Sequence, residues 1–119
     1  MRKDRSKTDA IENLLQDIGF PTNIKGYPYL THAILLISTD EKNLNSLNDN
    51  LYSKIAEEYN TTAGAVERAI RHAISTTWLR GNLELQQKLF RYTVDPEKGK
   101  PTNSEFLSLI SNIIRKDYQ

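Results

Sequence analysis

The stretch NTTAGAVERAIRHAIS, residues 60–75, carries two stripes at once. Val66, Ala69, Ile70, Ala73 and Ile74 recur at helical spacing and make an ordinary buried face. Glu67, Arg68, Arg71, His72 and Ser75 fall on the other side, an unusual concentration of charge for so short a helix. The pattern predicts a helix from Thr62 or Ala63 to Arg80, stopped by Gly81 in a left-handed conformation. Upstream, Leu47, Leu51, Ile55 and Tyr59 predict another helix over 47–59. Only Asn60-Thr61-Thr62 separates the two, and so short a connection forces a steep crossing of the helix-turn-helix kind at 49–71. The residue types suit that crossing. Ala56 is small where the helices approach, and Asn60 tolerates the left-handed region that glycine often supplies. Ile55, Tyr59, Val66, Ala69 and Ile70 are expected to fill the angle, and Thr62 to cap the second helix.

Working outward, residues 1–8 read as a solvated linker or appended tail, and 9–119 as one domain. Thr8 or Asp9, with Glu12, can cap a first helix whose stripe is Ile11, Leu14, Leu15 and Ile18. Gly19 ends it and Pro21 prevents its resumption. A second helix starts near Lys25–Gly26, or after Pro28, and carries Leu30, Ala33, Ile34 and Ile37. Its AILLI run at 33–37 resembles a buried strand, but the neighbouring segments offer no partner strands, which favours helix. Residues 38–49 are polar and rich in Asn and Asp, with room for one short helical turn. Asn82 can cap a fifth helix through Phe90, packed by Leu85, Leu89 and Phe90. After a loop at 95–100, Thr102 and Glu105 form a capping box ahead of Phe106, Leu109, Ile110 and Ile113. No alternating strand pattern, internal repeat or low-complexity segment competes. The expected fold is a compact all-α domain of six helices containing a helix-turn-helix.

Composition narrows the function by exclusion. Apolar residues make up 38% and charged residues 26% of 119, a balance suited to a globular domain rather than a membrane-embedded or disordered chain. There are no cysteines, which removes disulfides, thiolate zinc sites and cysteine nucleophiles together. AILLI is the longest apolar run and is far short of a membrane span, so no membrane partner is expected. The basic start, MRKDRSK, has no apolar signal-peptide core behind it, and a cytoplasmic location is the default. Net charge is +1, from 16 Lys and Arg against 15 Asp and Glu. Bulk charge therefore does not drive binding to nucleic acid, although a positive face can still do so. His32 and His72 stand forty residues apart with no HExxH and no phosphate loop, so neither a metal site, nor a cofactor, nor catalysis is expected.

The polar stripe has a specific chemistry. Arg68 and Arg71 are three residues apart and share a face, with Glu67 on its flank. Arginine presents a planar fork that matches guanine O6 and N7, while glutamate accepts from cytosine N4. Together they can read G·C pairs. The Thr61 and Thr62 hydroxyls and the first helical amides suit phosphate oxygens, and Gly64 allows a phosphate close to the backbone. The plain alternative is a surface helix with an ordinary Glu67–Arg71 pair worth a few tenths of a kcal/mol. A second alternative is a helical protein-interaction adaptor without nucleic-acid binding, using Tyr27, Tyr29, Phe90 and Tyr92 as contacts. Singly those aromatics read as packing residues, as does Trp78 on the apolar stripe.

NTTAGAVERAIRHAI, followed by WLRGN at 78–82, LFRYTV at 89–94 and KPTNSEF at 100–106, resembles the DNA-binding effector domain of the sporulation response regulators, the stage 0 sporulation protein A family. IKGYPYL at 24–30 is similar to that family's entry into its second helix, and the likeness runs over about residues 9–117. The resemblance implies a transcription-factor domain that binds double-stranded DNA, with its fourth helix in the major groove of a TGTCGAA-type element. Glu67, Arg68 and Arg71 match the base-reading positions. Thr61, Thr62, Gly64 and His72 are expected to face the DNA backbone. Gln87, Lys88, Phe90 and Arg91 fall on the element the family offers to the sigma subunit of RNA polymerase, where Leu85, Gln86, Gln87, Lys88 and Arg91 depart from smaller residues. The resemblance further implies a homodimer on tandem sites. It also implies a phosphoacceptor receiver domain in the full-length protein, for which this chain has no strand pattern.

Overall fold

The computed structural model describes residues 2–90 and 99–117. Its α-helices in these residues are α1 (Arg2–Ile18), α2 (Gly26–Thr39), α3 (Ser53–Glu58), α4 (Ala63–Arg80), α5 (Leu83–Phe90) and α6 (Asn103–Asp117). No strand occurs among them. The six-helix, all-α expectation holds. The AILLI run lies inside α2, the central helix, which packs against α1, α4 and α6. There Leu30, Ala33, Ile34 and Ile37 have no exposure to solvent.

Several helix ends follow the chemistry read from the sequence. At the end of α1, Gly19 has φ +116, and Phe20 N donates to Leu15 O at 3.0 Å while Gly19 N reaches Gln16 O at 3.1 Å. That is the Schellman pattern that a left-handed glycine allows. Asn82 Oδ1 accepts from Leu85 N at 3.0 Å and caps α5. At α6, Thr102 N donates to Glu105 Oε1 at 2.8 Å and Glu105 N donates to Thr102 Oγ1 at 3.1 Å, closing the capping box in both directions.

Other boundaries differ, each for a local reason. α1 begins at Arg2 rather than at Thr8 or Asp9, because RKDRSK contains good helix formers and neither Gly nor Pro to interrupt them. The predicted helix over 47–59 is two segments. Leu47–Tyr52 is wound as a π-helix, Leu51 N donating to Ser46 O at 3.4 Å, and α3 follows directly. The wider turn shifts the buried stripe to Leu51, Tyr52, Ile55 and Ala56, which turns Tyr59 out to 41% exposure. The short turn expected in 38–49 is a 3-10 helix at Glu41–Leu44. In α6 the buried face is Phe106, Leu107, Ile110, Ser111 and Ile114, so Leu109 and Ile113 sit at its margins.

Gly81 corrects a reading of mechanism. Its φ of −84 and ψ of −159 are extended, not left-handed. Glycine is needed there for space, since a Cβ would stand 2.6 Å from Ile18 O and 2.7 Å from Thr77 O. The ends of α1 and α4 meet here, and Asn82 N donates to Ile18 O at 2.8 Å across the junction. A comparable contact seats the first turn of α2 on α4, where a Cβ on Gly26 would lie 2.3 Å from Ala69 O. Trp78 is half-buried and meets Phe90 edge-on at 5.0 Å and Phe106 at 6.4 Å, so it belongs to the core.

Candidate nucleic-acid interface

The turn between α3 and α4 is built by backbone hydrogen bonds around one left-handed residue. Asn60 has φ +55, as its place in the connection requires. Thr61 N donates to Ala56 O at 2.9 Å and Asn60 N to Glu57 O at 3.4 Å, a second Schellman closure that fixes where α3 stops. Thr62 is extended, and its hydroxyl accepts from Ala65 N at 3.1 Å to cap α4. Ala56, Val66 and Ile70 are buried behind the turn with Ile55, filling the angle as expected. Tyr59 does not join them. Its ring instead stands edge-on to Tyr29 at 5.2 Å and to His32 at 5.9 Å on the outside of the turn.

The polar stripe of α4 faces solvent. Arg68, Arg71 and His72 are exposed, Glu67 is half-buried, and Gly64 and Thr62 are exposed at the helix start. Thr61 is half-buried. Glu67 and Arg71 form an ion pair at 3.2 Å, one helical turn apart. Arg68 runs back toward the start of α4, the usual lean of long helical side chains, so a Cβ on Gly64 would lie 3.2 Å from its Nη1. The bare Gly64 backbone therefore gives the guanidinium somewhere to lie. Lys100 reaches the same helix from the α5–α6 connection and donates to Ser75 Oγ, which in turn donates to Arg71 O at 2.9 Å. That places another cation at the far end of the stripe.

Behind the stripe lies a polar contact that sequence spacing did not disclose. Asn103, at the start of α6, donates from Nδ2 to Tyr52 Oη at 3.1 Å and to Glu67 O at 3.2 Å. Tyr52 is almost fully buried. Burial pushes its phenol above the ordinary value, the Asn103 hydrogen bond pulls it down, and the Glu67 carboxylate raises it. These partners are 36 and 51 residues apart in sequence, beyond any helical period. The KPTNSEF stretch holds both Lys100 and Asn103, but its local signal is the Thr102–Glu105 box alone.

The expected sigma-facing residues divide. Gln87 and Lys88 are exposed on α5. Phe90 is 3% exposed and stacks on Phe106 at 5.7 Å, so its ring is part of the core and not a surface contact. Arg91 lies outside the described residues. Gln86, one of the residues that depart from the family's smaller ones, is buried and donates to Thr77 O at 3.1 Å, which orients α5 on α4. Of the contacts named for the adaptor reading, Tyr27, Tyr29 and Phe90 are buried, and Tyr92 lies outside the described residues.

The family described as sporulation initiation factor Spo0A C terminal matches residues 11–114. The chain belongs to this family. It is accordingly a DNA-binding domain of a sporulation transcription factor of the response-regulator class, with DNA as its partner. Among the described residues, no group of three or more His, Cys, Asp or Glu is placed to hold a metal ion. No described helix is long and apolar enough to cross a membrane.

Proposed function

We propose that the domain reads TGTCGAA-type boxes through the major groove with α4, and so activates or represses the promoters that carry them. The observation that carries this reading is the outward placement of Arg68 and Arg71, with half-buried Glu67 on their flank, on a helix whose start is fixed by the Asn60 turn and the Thr62 cap. Arg68 and Arg71 supply forks for guanine edges, and Glu67 an acceptor for cytosine N4. Thr61, Thr62 and Gly64 would meet phosphates at the helix N-terminus, where amides and dipole both favour anions, with His72 beside them. The Thr62 oxygen already accepts from Ala65 N, yet its proton remains available to a phosphate oxygen.

Gln87 and Lys88 are the exposed residues we assign to the sigma subunit of RNA polymerase. Two copies would occupy tandem boxes as a homodimer, under control of a receiver domain in the full-length, cytoplasmic protein. Selection of bound sites from random duplex DNA, followed by footprinting, tests the reading directly. A TGTCGAA-like core should emerge. Arg68→Ala and Arg71→Ala should each cost about 1–3 kcal/mol on that site and relax its G preference, without loss of the melting transition. Selection that yields no core sequence would sink it.

A further inference from the structure

Base reading by Glu67, Arg68 and Arg71 needs α4 to hold one rotation about its own axis. Bidentate contacts tolerate errors of about 0.5 Å. A roll of roughly 10° moves a group at the outer radius of a helix, about 5–6 Å from the axis, by about 1 Å. Apolar packing of Val66, Ile70, Ala73 and Ile74 fills the volume behind α4. The hydrophobic drive is not directional; close packing, the Gly26 seam on Ala69 included, limits the roll, and a hydrogen bond adds a restraint of defined geometry to it.

Asn103 supplies a directional restraint. Its amide has two protons, and they go to two separate elements: Tyr52 Oη on the segment before α3, and Glu67 O on α4 itself. A backbone carbonyl can only accept, so the nitrogen and not the oxygen of Asn103 must face Glu67. The carbonyl has a second lone pair free for this bond beyond its helical partner. Asn103 is itself held, because it follows the Thr102 cap and the box with Glu105 locks that first turn of α6. Tyr52 cannot drift either, being 2% exposed in the core. The bond lands on Glu67, whose carboxylate pairs with Arg71 on the proposed reading face.

We infer that Asn103 and Tyr52 are positioning residues for sequence discrimination: by tying the Glu67 carbonyl to α6 and to the segment before α3, they set the roll of α4 in the groove. The inference rests on the proposed major-groove reading. It gives the two residues an effect on specific binding and none on the phosphate contacts, which flexible side chains and the helix start make independently.

The test uses the 119-residue chain with two duplexes, one bearing a TGTCGAA core and one with that core scrambled. Tyr52→Phe keeps the buried ring and removes only the hydroxyl, and Asn103→Ala removes both bonds. Each should weaken the TGTCGAA duplex about tenfold, in the range of one impaired bidentate contact. Affinity for the scrambled duplex and the dependence of binding on salt should stay at the parent's values. Should Asn103→Ala fail to fold, Tyr52→Phe carries the test alone. An unchanged ratio between the duplexes overturns the positioning role, and so does an equal loss on both. A parent protein that fails to distinguish the duplexes would refute the underlying groove reading, and is recognisable because no variant is needed to see it.

Discussion

Gly64 and Arg68 illustrate how a glycine in a helix can serve a neighbour. Glycine in a helix costs roughly 0.5–1 kcal/mol relative to alanine, and here the bare backbone leaves space into which the Arg68 guanidinium folds. A methyl group at 64 would meet only the far end of a flexible side chain, so it would displace Arg68 rather than strain the fold. Gly64→Ala should therefore raise the thermal midpoint by an amount matching about 0.5–1 kcal/mol and at the same time weaken specific DNA binding. Affinity and stability rising together would show that Arg68 does not depend on Gly64. Tyr52 and Tyr59 make a second residue-scale case. Burial raises both phenols, with further upward pushes from the Glu67 carboxylate on Tyr52, and from Glu58 and Tyr29 on Tyr59, while Asn103 opposes the shift at Tyr52. A raised acid favours the protonated form in the folded state, so its stabilising contribution is complete below the ordinary value of 10.0 and is lost as pH climbs through and above it. Thermal midpoints measured on both sides of that value should fall on the alkaline side, and Tyr52→Phe should fall less than the parent.

Between helices, the decisive features are close approaches that local periodicity does not encode. α2 sits so near α4 that Gly26 has no room for a side chain: its Cβ would be 2.3 Å from Ala69 O and 3.0 Å from Ala73 Cβ. Gly26→Ala must push the seam open against backbone and should cost about 3 kcal/mol, at the upper end of overpacking, read as a lowered midpoint in chemical denaturation. A variant as stable as the parent would mean that the two helices are not in contact there. Ala56 was legible as small because the short turn demanded it, and Asn60 as left-handed because the chain had to reverse there. Both requirements are local. The helical stripes, the Thr62 and Asn82 caps and the Thr102–Glu105 box were legible for the same reason, each resting on residues within a turn or two of one another. The π-helical winding at Leu47–Tyr52 was not legible, since it moves the buried stripe by a fraction of a turn and leaves the composition unchanged. Gly81 was placed correctly as a helix stop, but for a cause that depends on α1 arriving beside it. The residues proposed to read bases, Glu67, Arg68 and Arg71, followed from the α4 stripe, whereas Lys100 and Asn103 reach that helix only through the tertiary fold.

Taken as a whole, the molecule joins the helix proposed to face DNA and the helix proposed to face polymerase without making them the same surface. α5 follows α4 after Gly81 and Asn82, and its inner side is fixed by Phe90 against Trp78 and by Gln86 on Thr77 O. Gln87 and Lys88 are left exposed on the outside of α5. The joint variant Gln87→Ala, Lys88→Ala should therefore fold and bind the TGTCGAA duplex as the parent does. Lys88 gives a sharper criterion than affinity alone. If its ammonium neutralised a phosphate, its loss would lower the slope of log affinity against log salt by about 0.9, the value expected for one released counterion. We expect that slope to stay unchanged and the footprint to be retained. Transcription by purified polymerase from a promoter carrying the box should nevertheless drop. Loss of slope together with affinity would place Lys88 on the DNA. Full transcription by the double variant would remove the sigma subunit from this face of α5.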